Sequence, residues 1–141
     1  MANQAVLFGN ALAAARLWLV GKIPGLTIVG TEPNPRPDQF VLISDAGGRQ
    51  YSPIHEAAFL MVDTWGPTKN VAKAKAQLVR AHLSSLYNDT ITVPASTDSP
   101  AMDVVIYRAT PMGGLVDLPD PDAKIPRYRQ NFELLVRGTP I

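Results

Sequence analysis

The sequence has no cysteine, and this absence excludes several kinds of chemistry. Without a thiol there is no disulfide, no thiolate zinc site, no thiol redox centre and no cysteine nucleophile. The two histidines alone would leave any zinc site dependent on carboxylates. An excess of one charge is also missing, since 13 basic and 12 acidic residues give a net charge of +1. Proteins dedicated to nucleic-acid binding are normally strongly basic, so this composition argues against that class.

Long apolar runs are missing as well. The N-terminal stretch Ala5–Val20 contains Asn10 and Arg16 and follows no basic region, so it is typical of neither a membrane span nor a signal peptide. We therefore expect a soluble protein with no membrane partner, made in the cytoplasm. An apolar share of 46% in 141 residues is enough to pack one domain, expected to span residues 1–141.

Two segments have the apolar periodicity of helices. The first, from Asn3 to about Val20, is expected to end at Gly21. The second, from Thr68 to about Tyr87, carries its apolar residues on one stripe, with most of its basic residues off that stripe. Thr68 is the expected N-cap, because its hydroxyl can accept a backbone N–H of the first turn.

The remaining segments favour strands separated by loops. Asp45–Gly48 is predicted to form a turn, and Pro111–Arg127 a long irregular segment. The order of elements lacks the strict βαβ alternation of a doubly wound sheet. It predicts an α+β domain with a mainly antiparallel sheet of four to five strands and two helices packed on it. The candidate strands are Leu26–Gly30, Gln39–Ser44, Glu56–Trp65, Thr90–Val93, Asp103–Thr110 and Gln130–Arg137.

No motif in the sequence indicates a catalytic centre. His55-Glu56 begins like H-E-x-x-H, but Phe59 stands where the second histidine would be. His82 is interpreted as a partly buried helix residue. Nucleophile elbows and glycine-rich phosphate loops are absent from the sequence. We expect no catalytic residue, no cofactor and no enzyme activity; a small hydrolase or lyase using His55, Glu56 and Asp63 is the weaker alternative.

Three acidic residues near the C-terminus, Asp117, Asp120 and Asp122, are the remaining candidates for a cation site. Pro119 and Pro121 interrupt the ligand spacing of a calcium loop, so we expect no metal site there. A solvated loop or a polar contact to a partner is the favoured interpretation. Long loops and open sheet edges are typical of subunits that join by strand addition and polar contacts.

Several pieces of the chain, taken in order, resemble tail terminator proteins of long non-contractile-tailed bacteriophages. The resemblance extends from about Pro35 to Arg137. It rests on the strand and glycine-pair turn of Pro37–Gly48 and on the strand Ala57–Trp65 followed by Gly66. It also rests on the helix containing Ala72, Ala76, Leu78, Val79, Arg80 and Leu83, and on the ending Pro119-Asp120-Pro121, Arg127-Tyr128 and an alternating strand to Arg137.

This resemblance implies a structural protein of the virion, located in the tail-neck region. It implies a ring, expected to contain six copies, which ends polymerisation of the tail tube and provides the surface for head–tail joining. The implied partners are other copies of the chain, the tail tube protein, the head–tail connector or stopper protein, and genomic DNA that passes through the lumen without sequence-specific binding. Another neck component, or a generic protein-interaction module, is the alternative.

If the resemblance holds, two segments are expected to contact neighbouring subunits. One is the turn formed by Gly47, Gly48 and Arg49. The other is the loop Pro111–Arg127, in which Asp120 and Arg127 are candidate inter-subunit polar partners and Asp122 is a further candidate.

Overall fold

The computed structural model describes residues 4–122 and 124–141, and these residues form two helices and nine strands. The helices are α1 (Ala11–Lys22) and α2 (Lys69–Ser84). The strands are β1 (Val6–Leu7), β2 (Ile28–Val29), β3 (Phe40–Ser52), β4 (His55–Trp65), β5 (Tyr87–Val93), β6 (Met102–Pro111), β7 (Val116–Asp117), β8 (Arg127–Arg137) and β9 (Thr139–Pro140).

Seven of the strands form one sheet in the order β2-β3-β4-β8-β6-β5, and β7 pairs with part of β8. Only the β2–β3 pair is parallel within this sheet. The prediction of an α+β fold with two helices and a mainly antiparallel sheet is confirmed. The predicted number of four to five strands is wrong. The two-residue strands β2 and β7 extend the sheet beyond its five long strands, and β7 lies in a segment predicted to be irregular.

The first helix begins later than predicted. The predicted start at Asn3 lies outside the described residues, and the helix begins at Ala11. Asn10 is its N-cap, because the Asn10 side chain accepts a hydrogen bond of 3.0 Å from the Ala13 N–H. The apolar residues before Asn10 form β1, which pairs with β9. Apolar spacing alone did not separate this short strand from the helix that follows it.

The second helix agrees closely with its prediction. Thr68 is the N-cap, and its hydroxyl accepts a hydrogen bond of 3.2 Å from the Val71 N–H. The helix ends at Ser84, three residues before the predicted end at Tyr87, where β5 begins. Its buried stripe consists of Ala72, Ala76, Val79 and Leu83. Neither α1 nor α2 is long and apolar enough to cross a membrane, as judged from the described part of the chain.

The hairpin of β3 and β4 is longer than predicted. Asp45–Gly48 was expected to form its turn, but β3 continues through these residues to Ser52, and Pro53-Ile54 make the turn. A register shift between Asp45 and Gly48 marks a β-bulge. Gly47 and Gly48 have φ angles of 87° and 144°, values that favour glycine, so the glycine pair bends the strand without ending it.

The two faces of the sheet have different surroundings. Leu60, Phe132 and Ile106 lie on the face that α1 and α2 cover and belong to the main apolar core. Phe59, Met61 and Leu135 lie on the opposite face and are only half-buried. We call this second face the open face. The domain therefore has two layers, with its core between the helices and one side of the sheet.

Adjacent residues of β4 provide a direct test of this difference. Leu60→Ala should lower the free energy of unfolding by about 2–5 kcal/mol, because it removes a fully buried side chain from the core. Met61→Ala on the open face should cost about 1 kcal/mol, since Met61 keeps solvent contact in the single chain. Urea unfolding of the monomer measures both values. Equal losses of unfolding free energy in the two variants would mean that the open face is covered as fully as the core face.

Candidate assembly surfaces

Most of the outer edge of β3 has no neighbouring strand among the described residues. β2 pairs only with Val41 and Leu42 of β3. Beyond Leu42, no strand formed by residues 4–122 or 124–141 pairs with the outer side of β3. Residues 45–51 are all exposed. An edge of this kind presents backbone N–H and C=O groups to which another strand can add.

The predicted contact residues Gly47, Gly48 and Arg49 lie on this edge, and they differ in what they can do there. A Cβ at Gly48 would lie 2.2 Å from the Ala57 carbonyl oxygen, so Gly48 is required by the close approach of β3 to β4. A Cβ at Gly47 would meet no atom within 4 Å. Gly48 therefore shapes the edge, whereas Gly47 and Arg49 are accessible to a neighbour.

Arg49 is held by the hairpin itself. Its Nη2 donates a hydrogen bond of 2.9 Å to the Tyr51 hydroxyl, and its guanidinium lies 4.5 Å from the centre of the Tyr51 ring. The hydrogen bond to Tyr51 raises the pKa of Arg49, and the nearby Glu133 carboxylate contributes in the same direction. Tyr51 and Ile54 form the apolar part of the hairpin tip, with 47% and 40% of their surface exposed.

The other predicted contact loop is fixed from inside by Asp120. This carboxylate is 6% exposed and accepts hydrogen bonds from Arg36 Nη1 at 2.6 Å and Trp65 Nε1 at 3.2 Å. It also accepts one of 3.0 Å from the Asp122 N–H. The structure thus places Asp120 in contacts within its own chain, which argues against the predicted inter-subunit bond. Asp122 is exposed and remains available to a neighbour.

Arg127 is also partly engaged within the chain. Its Nε donates a hydrogen bond of 2.8 Å to the Leu118 carbonyl oxygen, and its guanidinium lies 5.4 Å from the centre of the Trp65 ring. Trp65 stacks on Phe40 with the ring centres 4.3 Å apart, and Arg36 lies 5.6 Å from Trp65. We call Arg36, Trp65, Asp120 and Arg127 the loop clamp. It fastens the two proline-containing loops to one end of the open face.

Asp63 and Arg129 form an ion pair beside the loop clamp. Arg129 Nε and Nη2 donate to the two carboxylate oxygens of Asp63 at 2.8 and 3.1 Å. This hydrogen bonding raises the pKa of Arg129 despite the opposing effect of its partial burial. The pair links neighbouring positions of β4 and β8, so it positions these strands at the loop end of the sheet.

The residues considered for a hydrolase are not brought together. His55 and Asp63 are eight residues apart on β4, a separation of about 26 Å along a strand. His55 Nδ1 lies 2.7 Å from the Ser52 hydroxyl oxygen. Within residues 4–122 and 124–141, no three His, Asp or Glu side chains are close enough to share a metal ion. The absence of enzyme activity and of a metal site stays a prediction.

No protein-family model matches this chain, and no curated protein matches its sequence at a significant level. The loop clamp was only partly foreseen: Asp120 and Arg127 were candidates, while Arg36 and Trp65 were not. Their hydrogen bonds to Asp120 join residues 84 and 55 positions apart, and no local pattern in the sequence indicates such a pairing.

The glycine pair can be tested with matched substitutions. Gly47→Ala should lower the free energy of unfolding by about 1–2 kcal/mol, because only the backbone conformation becomes strained. Gly48→Ala should cost about 3 kcal/mol or more, since the added methyl group also overlaps the Ala57 carbonyl. Thermal unfolding of the two variants measures the difference. Indistinguishable variants would contradict the close strand approach at Gly48.

The contribution of the loop clamp to stability can also be tested. Asp120→Asn keeps the shape of the side chain but removes its charge, so it should lower the free energy of unfolding by about 1.5–3 kcal/mol. Asp122→Asn, on an exposed side chain two residues away, should change it by less than about 0.5 kcal/mol. Urea unfolding followed by tryptophan fluorescence measures both. A similar small change in both variants would show that Asp120 does not hold the loops.

Proposed function

We propose that this protein is a structural subunit that joins head-to-tail with copies of itself to form the terminator ring of a phage tail. The ring, expected to contain six copies, would sit on the head-proximal end of the tail tube. There it would stop the addition of tube protein and present the head-joining surface. The observation that carries the proposal is a single sheet with an exposed edge at β3 and another at β5.

The second edge supports joining between unlike surfaces. β5 pairs only with β6, and its other side has no neighbouring strand among the described residues. A shallow groove beside it is lined by α1 residues and by part of β5, among them Leu17, Trp18 and Ile91. Because β3 and β5 lie at opposite ends of the sheet, contact between them would repeat from copy to copy. Such heterologous contacts close into rings when the rotation permits.

The direction of the strands is compatible with this arrangement. Each successive pair from β3 through β4, β8 and β6 to β5 is antiparallel, so β3 and β5 run in the same direction. Copies related by rotation about an axis along the strands would therefore pair β3 with β5 in parallel. The exposed tip of the hairpin would reach the neighbour beside its α1 groove.

The identity of the ring as a tail terminator is supported by the resemblance given above. The residues on which that resemblance rests form β3, β4, the capped helix α2 and β8, although the glycine pair lies in a β-bulge of β3 and not in the turn that the resemblance implied. The tube protein, the connector and the location in the virion neck are parts of the same proposal.

The hairpin tip provides the test of assembly. Tyr51→Asp combined with Ile54→Asp should reduce ring formation at least tenfold, because charges would replace the exposed apolar tip. Leu78→Asp is the control, since Leu78 is 37% exposed but lies on α2, away from both edges. Native mass spectrometry of each variant, alone and with tail tubes, measures ring and capped-tube formation.

The outcomes separate the competing neck functions. Tubes capped by the unaltered protein and by Leu78→Asp, but not by the tip variant, support the terminator function and the proposed interface. Rings that bind DNA-filled heads and leave tubes uncapped would replace the terminator with a connector or stopper. A monomer that ignores both tubes and heads would remove the neck assignment altogether.

A further inference from the structure

The open face of the sheet carries an uneven share of the positive charge. Five of the eight arginines have strand positions that place them on this face: Arg49, Arg108, Arg127, Arg129 and Arg137. The lysines lie elsewhere, on α1, on α2 and in the loop before β8. Although the net charge of the chain is +1, most of its guanidinium groups therefore lie on one side of the molecule.

Three of these arginines form no direct ion pair among the described residues, although Glu133 accepts a hydrogen bond of 3.4 Å from the Tyr51 hydroxyl that Arg49 contacts. Arg129 is paired with Asp63, and Arg127 belongs to the loop clamp. For Arg49, Arg108 and Arg137, no carboxylate of residues 4–122 or 124–141 lies within 4 Å of the guanidinium nitrogens. All three side chains are exposed. We call these three residues the arginine patch.

Sheet register fixes the geometry of the arginine patch. Arg49, Ala57, Leu135 and Arg108 are successive cross-strand partners, so they form one row across β3, β4, β8 and β6. Three strand spacings separate the two arginines, or about 14 Å. Arg137 lies on the same face of β8, two residues beyond Leu135.

A β-bulge and an aromatic pair complete the surface. The register shift between Ile106 and Arg108 lets both Tyr107 and Arg108 lie on the open face. Tyr107 packs against His55, with the ring centres 5.5 Å apart. Tyr51, His55, Arg108 and Leu135 line a shallow cavity of about 330 Å³ between the hairpin and β6. Phenolic hydroxyl groups and guanidinium groups are both donors that commonly contact phosphate oxygens.

We infer that the arginine patch contacts the sugar–phosphate backbone of double-stranded DNA without reading its sequence. Charge complementarity carries this choice: no described carboxylate lies within 4 Å of the three guanidinium groups, which are spread across the open face. The duplex has about one negative charge per 1.7 Å of its axis, so a surface of this width meets several phosphates. The choice of DNA among polyanions rests on the proposed function, since the genome would pass through a neck ring.

The proposed ring, in which copies join through their sheet edges, allows the arginine patch to face DNA in the lumen. If β3 and β5 join copies side by side, one face of every sheet is turned toward the lumen and the other toward the outside. The helices cover one face, and the arginine patch occupies the other. In a ring whose helices face outward, the arginine patch lines the lumen and touches the DNA at repeated positions around it.

The test compares two double variants that lose the same charge. Arg108→Gln with Arg137→Gln removes two residues of the arginine patch, whereas Lys73→Gln with Lys75→Gln removes two lysines of α2. Fluorescence anisotropy with a labelled duplex of random sequence is measured between about 20 and 200 mM salt. Three phosphate contacts predict a slope of log affinity against log salt of about −2.7, which two lost contacts reduce by about 1.8.

The patch variant should bind at least tenfold more weakly at the lowest salt concentration, while the lysine variant should retain the affinity and slope of the unaltered protein. Equal losses in both variants, or no salt-dependent binding by the unaltered protein, would overturn the inference. So would equally tight, patch-dependent binding of polyglutamate, which would assign the patch to an acidic protein segment. Tube capping by the patch variant is scored separately, so failure of DNA contact and failure of the terminator function remain distinguishable.

Discussion

The pairing of β4 along its whole length organises the molecule. Every residue from His55 to Trp65 has a cross-strand partner in β8, and all but Phe59 have one in β3. β3 joins β4 through a short turn, whereas β8 lies far from β4 in the sequence, so β4 combines a local hairpin with a long-range pairing. The long hairpin holds the β3 edge beside β4, and pairing with β4 places β8 in the centre of the sheet.

The helices cover one side of the sheet, and this determines which side chains of the other side stay accessible to solvent. Both helices pack on the face that carries Leu60 and Phe132, and the loop clamp covers only one end of the other face. Half-buried apolar residues and exposed arginines therefore share the remainder of the open face. In residues 4–122 and 124–141, most of the β3 edge and the outer edge of β5 have no neighbouring strand. These edges and the mixed apolar and charged face are available for partners, because both kinds of surface are typical of interfaces.

The parts of the fold that follow local rules were predictable from sequence. The capped helix after Thr68 and the alternation of β8 are local periodic patterns, and both appear with nearly the predicted bounds. The prediction of a turn at the glycine pair was wrong because glycine is common in both turns and β-bulges. Only the position of Ala57 across the hairpin shows that this glycine pair lies in a bulge. The role of Asp120 was missed for a similar reason. Its partners come from distant segments, so exposure of an acidic, proline-containing loop was the simpler expectation.

The hairpin connects the two proposals, since Gly48 sets where β3 lies against β4 and thereby where Arg49 and Tyr51 stand. A single copy offers DNA the three side chains of the arginine patch. So few phosphate contacts give weak, salt-sensitive binding. Joining copies through their edges would place identical patches around one duplex. Each further contact would then be intramolecular and would gain from a high effective concentration. Assembly would thus be the step that converts a weakly basic face into a useful DNA contact, and an unassembled subunit would not be held on nucleic acid in the cell.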